Sequence, residues 1–175
     1  MGAILITGSS GAGKSALAAE LAVRGLISID ADEDPTLARW VDSEGRLVEF
    51  SGEPEPGWLE RYRWEWNPER LDRLLRDAAP ATVFVCGIAA NETDLLDRFE
   101  RVILLVVDEV TALARIDNPS RDNDFGRSDD EREFIRRWLP GYESRMRALG
   151  AVPVDATQPL QQVTTAVLVA SGLNA

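Results

Sequence analysis

The chain contains no histidine, one cysteine and, beside eighteen arginines, a single lysine. Each scarcity closes a class of function. Without histidine no imidazole can shuttle protons, so a general base must be a carboxylate or the substrate itself, and a Cys/His zinc site is excluded. Cys86 has no partner for a disulfide and reads as a small buried hydrophobe rather than a nucleophile. No apolar run approaches the roughly 18 residues of a membrane span, and no basic segment precedes the first strand near Met1. The expectation is therefore a soluble, cytoplasmic protein. Positive charge is also in deficit: a net charge of −11 argues against nucleic-acid or anionic-membrane partners, which need basic surface.

What is present begins with Gly8-Ser9-Ser10-Gly11-Ala12-Gly13-Lys14-Ser15, a full match to G-x-x-x-x-G-K-[ST]. It follows the apolar run Ala3-Ile4-Leu5-Ile6, which reads as a buried strand, and precedes an Ala/Leu-rich helix closed by Gly25. Glycines let successive backbone N–H groups turn inward around a phosphate chain, and the helix N-terminus behind them favours anions. Lys14 would reach the β- and γ-phosphates of ATP, and the Ser15 hydroxyl would ligate Mg²⁺. Lys14 is the chain's only lysine, at the one place where a compact ammonium must fit among phosphates.

At 175 residues and 45% apolar content the chain suits a single domain, 1–175, with a real core. A short second strand, 26–29, ends in Asp30-Ala31-Asp32-Glu33-Asp34. Carboxylates there would lie beyond the carboxyl end of a strand, where open α/β sheets bind ligands. Asp30 is then a candidate for Mg²⁺ or its waters and Asp32 for the acceptor hydroxyl, against a plain acidic turn capping a helix before Pro35. Residues 35–67 form an irregular insertion, with a helical candidate at 36–41, a hairpin around Glu44-Gly45-Arg46 and breakers at 52–57. It carries four of the five tryptophans, Trp40, Trp58, Trp64 and Trp66, with Arg61 and Arg63. Those rings either bind a substrate or pack the insertion onto the sheet.

Asn67-Pro68 opens a helix through Ala78. A third strand, 82–86, leads to Gly87, which would admit a ligand, and to Asn91, which caps the next helix or else points at substrate. A fourth strand, 101–107, precedes Asp108-Glu109. That pair is either a Walker B element, with Glu109 activating water, or the start of a helix. The polar segment 117–128 is placed like a lid, and its Arg121 and Arg127 could neutralise a transferring phosphoryl group or pair with local aspartates. Ser128 and Glu131 form a capping box for a long helix kinked near Pro140, and a fifth strand and last helix follow.

Strands alternating with helices imply an α/β, three-layer, doubly wound parallel sheet. With its P-loop, Asp-x-Asp, Gly87 and arginine-bearing lid, the chain resembles the P-loop small-molecule and nucleotide kinases, such as the shikimate, gluconate and adenylate kinases. The resemblance implies a five-stranded order of 2-3-1-4-5, a 155–159 loop bordering adenine, Asp30 near Mg²⁺, Asp32 on the acceptor hydroxyl, and Arg121 or Arg127 on the nucleotide or phosphoryl group. The function expected is γ-phosphoryl transfer from Mg-ATP to a small-molecule or nucleotide acceptor, by a monomer or homodimer. The alternatives are a regulatory ATPase using Asp108 and Glu109, and a nucleotide-binding module without turnover.

Overall fold

Ala3–Gly8 (β1) is buried at every position because it is the central strand of a five-stranded sheet covered on both faces, which is why it reads as an unbroken apolar run. The computed structural model describes residues 2–49, 55, 57–120 and 123–173. Beside β1 lie Val83–Cys86 (β5) and Arg101–Val106 (β6), with Ile27–Asp30 (β2) and Val152–Asp155 (β7) at the edges. The order is β2-β5-β1-β6-β7, and every neighbouring pair is parallel. Counted among themselves, the five parallel strands run 2-3-1-4-5. The labels skip because Ala38–Val41 (β3) and Arg63–Trp66 (β4) pair antiparallel in a sheet of their own.

Helices cover both faces. Lys14–Val23 (α1) and Leu160–Ala170 (α6) place Leu17, Leu21, Val163 and Val167 against Ile4, Ile6, Phe84 and Ile103. On the other face, Leu71 of Pro68–Ala78 (α3) and Trp66 of β4 pack against Leu5 and Val85. Asp129–Ala148 (α5) adds Tyr142 and Met146 against Leu104. Local chemistry sets the helix starts. Asn67 accepts from Glu69 N and Arg70 N with Pro68 at the first helical position, and Ser128 and Glu131 complete the capping box. The α5 helix continues through Pro140. Among the described residues, no helix is long and apolar enough to cross a membrane.

The insertion corrects the sequence reading. The helix expected at 36–41 is instead β3, since Ala38 and Trp40 face Trp66 and Trp64 across a hairpin and pairing with β4 overrides the local pattern. A tight turn does form at Asp42 to Arg46, closed by an Asp42 to Arg46 backbone bond of 3.0 Å and a Val41–Leu47 bridge. A short helix, Trp58–Arg61 (α2), precedes β4. The breaker stretch 52–57 falls largely outside the described residues. Gly87 serves Trp66 rather than a ligand: a Cβ there would lie 2.7 Å from the Trp66 ring and from Ala31 Cβ. Asn91 stands at the N-cap position of the turn Glu92–Arg98, but its side chain accepts no capping bond. It accepts from Trp66 N at 2.9 Å and donates to Trp66 O at 2.8 Å, clamping the hairpin to the loop after β5.

Candidate functional site

β1 ends at Gly8 and α1 starts at Lys14, so the loop between them sits at the carboxyl edge of the sheet and at a helix N-terminus. Gly11 has φ +79°, and a Cβ there would meet Ala112 O at 2.5 Å, so close backbone approach demands glycine. Gly13, the N-cap, has φ +93°. Among the described residues, the backbone N–H groups of Gly11, Gly13 and Ser15 have no acceptor and the buried Ser9 Oγ has no partner. Unsatisfied donors at the positive end of a helix fit an anion. Lys14 Nζ lies within this cradle, donating to Gly8 O at 2.8 Å and Ser9 O at 2.9 Å.

Arg115, which the sequence reading passed over, braces the cradle. It lies on Glu109–Ile116 (α4), three residues beyond the Ala112 that contacts Gly11, and so on the same helix face. Its Nη1 donates to Gly11 O and Ala12 O at 3.4 Å, and its Nη2 to Ala156 O at 2.8 Å. It thereby ties the cradle to the loop after β7. The only available signal was helical spacing from a residue whose packing on Gly11 no sequence pattern gives.

The acidic turn lies two strands away. Asp30 is level with Cys86, and Cys86 with Ile6, which separates Asp30 from β1 by about 10 Å at the usual strand spacing. Burial pushes the Cys86 thiol up, the negative charge of Asp30 adds to this and Lys14 opposes it, so both charges act on one buried group. Asp30 and Asp32 do not alternate along an extended chain. The backbone turns into a 3₁₀ turn, Ala31–Glu33, capped by Asp30 Oδ1 accepting from Asp32 N at 3.1 Å. Asp32 Oδ1 accepts instead from Trp64 Nε1 at 3.0 Å, which brings the insertion to the site. Asp34 belongs to the structural part of the turn. Burial would raise its carboxyl, but bonds from Thr36 and Arg70 hold it down to about 2.

Mg²⁺ fits this rim only together with phosphate oxygens. No group of three or more acidic or thiol side chains among the described residues could hold a metal by itself. Ser15 is exposed with its hydroxyl unpartnered, and Asp30 Oδ2 accepts no hydrogen bond, among the described residues. One hydroxyl and one carboxylate oxygen are the partial set a phosphate-bound Mg²⁺ completes.

A buried carboxyl stands beneath the cradle. Thr7 Oγ1 donates to Glu92 Oε2 at 2.9 Å and shares a 2.5 Å hydrogen bond with Tyr142 Oη. Glu92 Oε1 is buried and has no partner among the described residues. Burial raises this carboxyl to about 7, against hydrogen bonds from Tyr142 and Thr7 and the Lys14 charge. Glu92 lies in a 3₁₀ turn, Glu92–Arg98, among other acidic residues, and nothing in that run distinguishes the buried one.

No protein-family model matches the sequence, and no curated protein matches it. Solved structures do match in shape. A deoxyadenosine kinase from M. mycoides with bound dATP superposes with TM-score 0.57 at 15% identity, covering 97% of this chain and 99% of that one. A gluconokinase from Sinorhizobium meliloti 1021 gives 0.57 at 18%, covering 98% and 91%. A shikimate kinase from Acinetobacter baumannii in complex with shikimate gives 0.59 at 17%, covering 97% and 94%. The fold is that of the P-loop small-molecule kinases.

Within this P-loop kinase fold, Asp108, Glu109 and Arg127 each make local contacts. Asp108 caps α4, accepting from Thr111 N at 2.8 Å and Thr111 Oγ1 at 2.7 Å, bonds that lower its pKa. Glu109 pairs with Arg136 at 2.8 Å. In the 117–128 segment, Arg127 pairs with Asp124, and Gly126 packs against Ile116 and Ile135. Phe125 O accepts from Ser10 Oγ at 3.4 Å, which brings the segment to the cradle. Arg121 lies outside the described residues.

Proposed function

We propose that the chain is an ATP-dependent phosphotransferase acting on a small-molecule hydroxyl. The observation that carries this reading is the pairing of an anion cradle containing Lys14 with an acidic turn whose Asp32 is oriented by the insertion. The cradle formed by Gly8, Ser9, Ser10, Gly11, Ala12 and Gly13 would hold the triphosphate through backbone N–H groups, with the Lys14 ammonium leaving Gly8 O and Ser9 O for the β- and γ-oxygens. Ser15 and Asp30 would hold Mg²⁺, which when bound supplies charge neutralisation on the phosphates. Asp32 accepts the acceptor's proton as its oxygen bonds to the γ-phosphorus, and the bond to the β-phosphate oxygen breaks with its electron pair leaving on ADP.

Residues 35–67 serve in this reading as the acceptor-binding insertion and 117–128 as the lid. Arg127, and Arg121 with it, would meet charge developing on the transferred group. The Arg127–Asp124 pair is exposed, and such pairs are worth only about 0–1 kcal/mol, so exchanging the aspartate for a phosphoryl oxygen is cheap. The need for ATP supports a cytoplasmic location in this reading. The test is turnover with Mg-ATP and a panel of alcohols, comparing Asp32→Asn with Glu109→Gln. Loss of phosphorylated product in the first alone supports phosphotransfer. Loss of ATP turnover in the second alone would establish the ATPase instead.

A further inference from the structure

Glu92 is a buried carboxylate, 1% exposed, that the phosphotransfer reading leaves unused. It stands under the cradle. Its Oε2 accepts from the hydroxyl of Thr7, the residue before Gly8, and Gly8 O in turn holds the Lys14 ammonium. The same Thr7 hydroxyl meets Tyr142 Oη, and the Tyr142 ring stacks on Trp138 at 4.1 Å. Both rings belong to α5, which starts immediately after the 117–128 segment. One carboxyl thus touches the strand that ends in the cradle and, through a shared hydroxyl, the helix behind the segment that reaches it.

The groups around Glu92 leave it close to the balance between its two protonation states. From β1 and α5 come the hydroxyls of Thr7 and Tyr142, the latter pushed up by burial and so held protonated, and from the cradle comes the positive charge of Lys14. Arg145 lies behind Tyr142, 5.8 Å from its ring centroid. On Glu92's own turn, Asp94 and Asp97 are exposed, and Arg98 is bound to Asp72 and Asp97. Oε1 has no partner among the described residues, so negative charge on it is poorly compensated. Burial accordingly outweighs the hydroxyls and Lys14 and raises the carboxyl to about 7. With no histidine in the chain, few other groups titrate there.

A nucleotide in the cradle would tip this balance one way. The Lys14 ammonium would be drawn onto phosphate, and oxygens that stay anionic even with Mg²⁺ would lie above the carboxyl. Like charge disfavours the ionised form. Resting on the nucleotide cradle of the reading above, we propose that Glu92 is a positioning residue that holds the Thr7 end of β1 beneath the cradle, and that nucleotide binding takes up a proton on its carboxyl. The proton comes from solvent, adds to a Glu92 oxygen and leaves when the nucleotide does.

The test is calorimetric. Mg-ATPγS, whose terminal group stays ionised near neutral pH, is titrated without acceptor into the full chain in buffers of different ionisation enthalpy, which counts the protons exchanged. The wild type should take up about half a proton at pH 7.5 and almost none at pH 5.5, where Glu92 is protonated already, and its Kd should rise about three- to tenfold between pH 6.5 and 8.5. Glu92→Gln keeps a donor and an acceptor without titrating, and should show no uptake and a Kd constant within about twofold over that range. Absent uptake in the wild type, or equal uptake in both proteins, overturns the inference. A merely structural Glu92 would lower the melting temperature of the variant and leave the proton count as it was.

Where the variant does not fold, infrared difference spectra of the wild type decide. Adding nucleotide at pH 7.5 should raise the band of a protonated carboxyl, and an unchanged band overturns the inference. Proton-linked binding with no phosphorylated product from any acceptor would defeat phosphotransfer and leave the linkage standing, whereas no binding of Mg-ATPγS at any pH would defeat both.

Discussion

Thr7, the last residue before Gly8, donates its hydroxyl to Glu92 Oε2 at 2.9 Å. With Tyr142 of α5 on the same hydroxyl, this contact joins the strand beneath the cradle, the loop after β5 and the long helix after the 117–128 segment. The folded Glu92 carboxyl, raised to about 7 from an ordinary 4.5, holds its proton more tightly than the unfolded one. The folded state therefore carries more protons between those values, and stability falls as pH rises through that window, by about 3 kcal/mol at most, then levels off. Glu92→Gln removes the titration and keeps a donor and an acceptor. Its melting temperature, followed from pH 5 to 8, should change less than that of the wild type. Parallel curves would show that Glu92 does not titrate there.

Lys14→Ala removes the one ammonium that can move from Gly8 O and Ser9 O onto phosphate. Turnover should fall about 10²–10³-fold, the scale for losing one preorganised charge-stabilising donor. Circular dichroism should report an unchanged fold. Full turnover in this variant would overturn every reading that places the Lys14 ammonium on phosphate.

Glu109→Gln should leave ATP turnover within about twofold, because Glu109 is held by Arg136 at the surface and such pairs contribute little. Asp108→Ala should act on stability, through loss of the α4 N-cap, and not on chemistry. A selective loss of ATP hydrolysis in either variant would return these carboxylates to a catalytic role.

Asn91→Ala removes both hydrogen bonds that hold Trp66 N and Trp66 O. The cost should be about 1–3 kcal/mol, read as a drop of about 2–4 °C in melting temperature per kcal/mol for a chain of this size. Because the clamp positions β4, and β4 carries Trp64, acceptor KM should rise as well. Stability loss with unchanged KM would separate the hairpin from the acceptor site.

The cradle was legible in the sequence because a P-loop is local: strand, glycines, lysine and helix are consecutive, and each residue type answers a backbone or charge requirement within eight positions. The parallel sheet was legible too, since its buried strands are continuous apolar runs. The insertion was not. A helix was expected at 36–41, where the chain forms β3, because a four-residue strand declares itself only through its partner, here 25 residues on in β4. Gly87 was read as a ligand position and Asn91 as a cap or substrate position, yet both serve Trp66, a residue more than 20 positions earlier.

By itself the sequence determined the anion cradle, the α/β architecture and the carboxylates at the end of β2, all of which follow from short-range patterns of glycine, apolar residues and charge. Tertiary structure alone decided which carboxylate is oriented and which merely caps: Asp32 meets Trp64, Asp108 caps α4, and Glu92 is buried under Thr7. The reason is physical. A carboxylate's role depends on its solvation and on the donors that reach it, and in this fold the donors to Asp32 and Glu92 come from segments 32 and 85 residues distant.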